Sequence, residues 1–193
     1  MDRDSIKERG RSMEEEYFHK HEAKLLEKLR ERGKLSEIAE GLAVKLKVDD
    51  PDLLRRIMAA GVTLDTGAAF LAAPLVQVAW AEGTVTDRER ETVFRLARER
   101  GLERSSPAGA QLEQWLRVRP GDQLFALAAE AITKGLSVLT PEERADRIKR
   151  IVDACREVAE ASGGLSRLLG LSGVSGEEEA VLDAIAATLR AKG

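Results

Sequence analysis

This chain is short of the residues on which most catalytic and secreted proteins depend. It carries one cysteine, Cys155, and two histidines, His19 and His21. A single cysteine excludes an internal disulfide framework. Cys155 lies on an apolar stripe with Val152 and Ala159, which makes it a core residue rather than a nucleophile. The histidines sit two apart on a helical segment and therefore do not face the same way, which argues against zinc. No residue set combines a nucleophile with a base, so no enzyme is expected. Long apolar runs are also missing. The greasiest stretch, "FLAAPLVQVAWA" from Phe70 to Ala81, is twelve residues, whereas a bilayer span needs about 20. It reads as a buried core helix, and the protein as not membrane-spanning. Neither charge dominates: 31 basic against 34 acidic side chains give −3, without the basic excess of a nucleic-acid protein. No secretory apolar segment follows Met1, so a cytoplasmic location is expected. The glycine-rich "SGGLSRLLGLSG" lacks the Gly-Lys-Ser/Thr ending of a phosphate-binding loop, although a loop of that length can serve as a lid or contact surface.

What is present is helix-forming: runs of Glu, Lys, Arg, Ala and Leu, with few β-branched clusters and no period-two alternation. At 193 residues one core of ordinary size is expected. Residues 1–33 hold nine basic and nine acidic side chains and only a thin apolar stripe of Met13, Tyr17, Leu25 and Leu29, with Phe18 and Leu26 beside it. Such a stripe predicts an exposed arm or docking helix ending at Gly33, with Tyr17, Phe18, Leu25 and Leu29 as its partner-binding residues. A second helix should follow Ser36. Residues 34–193 form the globular domain. Start signals stand at Asp50-Pro51, Thr86, Ser106-Pro107, Asp122, Thr140-Pro141 and Ser175, and stops at Gly61 and Gly101. Pro74 should kink the central helix or mark its real start. The expectation is an all-α fold of eight or nine helices.

One pattern occurs twice. "VAWAEG" at 78–83 matches "VAEASG" at 158–163, and "VTDRE" at 85–89 matches "VSGEE" at 174–178. Val93, Leu96 and Ala97 then correspond to Leu182, Ile185 and Ala186. Each copy, about 70–98 and 150–188, reads as a buried helix, a glycine elbow, a Ser/Thr capping box and an amphipathic helix. Two hairpins built alike should pack face to face around one core.

"PLVQVAWAEGTVTDRERETVFRLARERGL", with its apolar helix, V-A-x-A-[DE]-G and hydroxyl cap, resembles the hallmark of the TerB-like, tellurite-resistance-associated family. The later "ACREVAEASGG…LGLSGVSGEEEAVLDAIA" is similar to that family's second motif. The resemblance covers about Leu64 to Leu189. It implies a compact helical bundle linked to stress or metal-resistance systems, with acidic residues proposed to bind metal and no catalytic activity. Residues 11–32, "RSMEEEYFHKHEAKLLEKLRER", are similar to the inhibitory helix of mitochondrial-type F1-ATPase inhibitor proteins.

The TerB-like resemblance directs attention to Glu82, where the family usually has Asp, and to Glu89, the capping-box acid. Glu82 lies at a helix C-terminus, where the macrodipole makes an acid cost about 0.3–1 kcal/mol, and a divalent metal ion at the elbow would reverse that cost. Carboxylates and free helix-end carbonyls are hard oxygen ligands suited to Ca²⁺ or Mg²⁺. Against this, Glu89 already serves as the N3 partner of Thr86, and two or three acids fall short of the six to eight oxygens calcium takes. In the second copy Ser162 stands where Glu82 does, so a site there would need Glu160 or Glu178. The expected function is a non-enzymatic TerB-like module that binds a protein partner, with Glu82 and Glu89 as the candidate ligands of a divalent metal ion, the favoured alternative being that Glu82 is a plain turn residue. The competing reading is a regulator whose N-terminal helix docks on a larger machine such as a rotary ATPase.

Overall fold

The computed structural model describes residues 3–162 and 174–191, with side chains for residue 20 and from residue 24 onward except residue 32. Among these residues there are nine helices and no strand: α1 (Arg3–Leu46), α2 (Pro51–Ala59), α3 (Gly67–Leu71), α4 (Ala73–Ala79), α5 (Asp87–Arg98), α6 (Pro107–Arg117), α7 (Asp122–Ser137), α8 (Pro141–Ser162) and α9 (Gly176–Arg190). The all-α expectation holds. None of these helices is long and apolar enough to cross a membrane. The chain divides into two compact units, Met1–Glu40 and Gly41–Gly193.

The first unit is helix throughout its described length. The helix end expected at Gly33 is absent, and α1 continues to Leu46. A glycine inside a solvated helix costs only about 1 kcal/mol relative to alanine, and no proline follows to enforce the stop. Ser36 does not act as a cap; its hydroxyl donates to Glu40 Oε1 at 3.2 Å. The helix stops instead at Lys47, whose φ of 56° is left-handed. There the Val48 N–H reaches back to the Ala43 carbonyl at 3.0 Å, the reverse turn that usually selects glycine.

The second unit is built around α4. Six of its seven residues, Ala73, Pro74, Leu75, Val76, Val78 and Ala79, are buried, and it packs against α3, α5, α6, α7, α8 and α9. Pro74 marks a start: the expected central helix is two short ones, α3 and α4, separated at Ala72. A proline in the first turn forfeits only an N–H that had no helical partner. Capping follows the signals read above. Asp50 accepts from the Leu53 and Asp52 N–H groups, and Ser106 accepts from the Gly109 N–H at 3.0 Å. Across the unit, Arg56 forks onto Glu130 with two bonds of 3.0 and 2.8 Å and ties α2 to α7.

The two repeated hairpins, α4–α5 and α8–α9, pack together. Exchanging them maps their contacts onto one another: α4 lies against α8, and the α4–α9 contact answers the α8–α5 contact. Val78 and Val158, equivalent in the repeat, are both fully buried.

Candidate functional site

At the first elbow, α4 is capped at its C-terminal end by Trp80, whose indole N–H donates to the Trp115 carbonyl at 2.8 Å and anchors the hairpin to α6. Gly83 turns the chain with a φ of 80°, a conformation that disfavours any Cβ. Thr86 then opens α5 with a reciprocal capping box. Its hydroxyl accepts from the Glu89 N–H at 3.2 Å, and Glu89 Oε2 accepts from the Thr86 N–H at 2.7 Å.

The second elbow repeats this chemistry. The Ser175 hydroxyl accepts from the Glu178 N–H at 3.2 Å, and Glu178 Oε2 accepts from the Ser175 N–H at 2.7 Å. Gly163, the counterpart of Gly83, lies outside the described residues, as does the insert 164–173. Both capping glutamates are buried, Glu89 at 2% exposure and Glu178 at 0%, and they are the only buried charged residues among those described. N3 acids normally face solvent. Here the packing of hairpin on hairpin turns both helix starts inward.

The elbows differ in one residue. The Ser162 hydroxyl lies 2.9 Å from Glu178 Oε1 and 2.8 Å from the Ala159 carbonyl, so its one proton is shared between them, while Glu178 Oε2 accepts from the Ser175 N–H. In the first elbow the equivalent residue is Glu82, which is exposed and acts on Glu89 only as a like charge. Burial pushes the Glu89 carboxyl above its ordinary range. The hydrogen bonds from Thr86 oppose the shift, and the charges of Glu178 and Glu82 add to it. A carboxylate that is dry and near two other acids resists ionisation. The structure thus brings Glu82 and Glu89 into electrostatic reach of each other and adds Glu178. Among the described residues no group of three or more His, Cys, Asp or Glu could hold a metal ion.

The remaining sequence candidates fall elsewhere. Leu25 and Leu29 are 55% and 54% exposed, and Leu26, beside them, is 54% exposed. The side chains of Tyr17 and Phe18, like those of His19 and His21, lie outside the described residues. Cys155 is buried, and its thiol is pushed up to about 12 by desolvation. It packs as the core residue expected and holds no thiolate at neutral pH. Sequence reasoning missed the bond from Ser162 to Glu178. The signal for it was the elbow alignment itself, which set a hydroxyl opposite an acid. No family model, curated protein or solved structure matches this chain.

Proposed function

We propose that this protein is a non-enzymatic helical module that binds another protein through its N-terminal arm. The observation behind this reading is the row of Leu25, Leu26 and Leu29, each more than half exposed, on a charge-rich helix that also exposes Leu35 and Val44. Three neighbouring leucines left in water form an anchor of the kind an amphipathic helix lays into a groove. The second unit serves as the folded body that carries the arm. The TerB-like motifs support a stress or metal-resistance setting for this interaction. The test is crosslinking and affinity purification from the native host, comparing the full chain with Leu25→Ser/Leu29→Ser and with a chain lacking residues 1–33. One partner recovered in fixed ratio with the full chain, and lost with both variants, is the expected result. The same partner recovered equally by all three would refute an arm-borne function.

A second reading has its own support. The exposed Glu82 adds its like charge to the buried Glu89 at the first elbow, and a divalent cation on the Glu82 side would relieve that repulsion, with helix-end carbonyls rather than a third acid completing the oxygen set. Titrating Ca²⁺, Mg²⁺, Mn²⁺ and Zn²⁺ against the wild type and Glu82→Gln tests it. A cation that raises Tm in the wild type alone is expected, since a ligand of the folded state stabilises by mass action. A shift that survives the substitution, or none at all, rejects the site.

A further inference from the structure

A second place in the molecule has the features of a ligand site. Between the α3–α4 junction, the end of α5 and the middle of α8 lies a cavity of about 280 Å³. Its floor is apolar: Leu75 and Leu102 are buried there, with Leu71 and Ile151 forming the wall. Leu71 is left 38% exposed, one of the few large apolar side chains of this unit to face water. The only ionisable groups lining the cavity are Arg100 and Arg147, and no acidic side chain joins them.

Several arginines make no ion pair among the described residues, Arg88, Arg98, Arg144 and Arg190 among them, but of the arginines without a carboxylate partner only Arg100 and Arg147 line this cavity. Arg55, Arg56, Arg90, Arg95, Arg104, Arg117, Arg119, Arg150 and Arg156 all pair with carboxylates. Arg100 uses one nitrogen on the Leu96 carbonyl, at 2.9 Å. Neither Arg100 nor Arg147 makes an ion pair among the described residues. A guanidinium is a planar fork of donors that matches a carboxylate with two parallel bonds. An apolar floor with uncompensated forks at its rim complements a molecule with a hydrocarbon tail and an anionic head. The small volume, just under the usual range of about 300–1,000 Å³ for ligand pockets, restricts the tail to medium length.

We propose that this cavity binds a medium-chain aliphatic carboxylate, its tail on Leu71, Leu75, Leu102 and Ile151 and its head on Arg100 and Arg147. This site is separate from the arm and from the elbows, so it stands or falls independently of them.

Isothermal titration of the full chain with sodium octanoate, below its micelle concentration, tests the proposal. One saturable site is expected, with butanoate and octyltrimethylammonium much weaker, because each lacks the tail or the charge. Arg147→Gln, at an exposed position, should weaken binding about tenfold or more, the weight of one charge-assisted hydrogen bond. Ala68→Phe, which fills the cavity from a half-buried lining position, should abolish it in a chain whose circular dichroism is unchanged. If Ala68→Phe does not fold, Arg147→Gln decides alone. No saturable binding, equal binding by Arg147→Gln, or equal binding of the cationic amphiphile would overturn the proposal. Tighter binding of octyl phosphate would overturn the carboxylate assignment.

Discussion

The two elbows share a backbone plan and a capping box, yet their buried glutamates live in different electrostatic conditions. At the second, Glu178 receives a hydrogen bond from the helix start and faces the Ser162 hydroxyl, a donor it shares with the Ala159 carbonyl. At the first, Glu89 has the helix start alone and faces Glu82 in place of a hydroxyl. Burying a carboxylate is tolerable when donors replace its water. The second elbow meets that condition better, so it reads as structure, while the first holds unrelieved charge at a solvent edge. A single residue of the repeat, serine against glutamate, separates the two.

The largest test of this contrast removes each acid in turn. Glu178→Ala leaves the Ser175 N–H without its acceptor and opens a void, while the Ser162 hydroxyl keeps the Ala159 carbonyl, for a cost of about 3 kcal/mol. Glu89→Ala loses the same cap but also removes a buried charge that repels its neighbours, so its cost should be about 1 kcal/mol. Urea denaturation of both variants measures the gap, and equal losses would mean that the elbows are energetically alike.

Gly83→Ala comes next. No atom crowds the missing Cβ, so the penalty is conformational only, about 1–2 kcal/mol for a left-handed residue. A loss well above that range would show that the first elbow is strained beyond its backbone angle.

The pH dependence probes the first elbow further. Because the folded-state carboxyl of Glu89 is raised, the native chain holds this proton more firmly than the unfolded one does. Stability from this group therefore falls as pH rises from the unfolded glutamate value, about 4.3, through the raised folded value, and is regained on acidification. Glu89→Gln removes that slope. Stability curves of wild type and Glu89→Gln should diverge across the window, with the variant gaining relative to wild type, and run parallel above it; curves parallel throughout would contradict the assignment.

The smallest effect is the most direct. Glu82→Ser gives the first elbow the residue of the second and should raise Tm at pH 7 by roughly 1–3 °C. A fall in Tm would show that Glu82 makes a stabilising contact instead.

Much of the fold was legible because its signals are local. Thr86 with Glu89, Ser175 with Glu178, and Thr140 with Glu143 are capping boxes four residues long, and each forms as written. Pro51, Pro107 and Pro141 each begin a helix for the same reason. The failures also have physical causes. Gly33 resembles a stop signal, but its penalty is small enough for the surrounding helix formers to override, and α1 runs through it. The arginine-rimmed cavity escaped notice because Leu71, Leu102, Arg147 and Ile151 come from three distant stretches of chain.

The three capping boxes show where sequence ends and tertiary structure begins. Each was determined by residues three apart, whose side chain and backbone meet whenever a helix starts there. At Thr140 the box stays in solvent, and the hydrogen bond from the Thr140 N–H holds the Glu143 carboxyl below its ordinary range. At Thr86 the same bond forms, yet burial against the second hairpin drives Glu89 the opposite way. The local bond is a matter of spacing along the chain. Access to water, and the company of Glu178 and Glu82, depend on how the hairpins pack, and they set the direction of the shift.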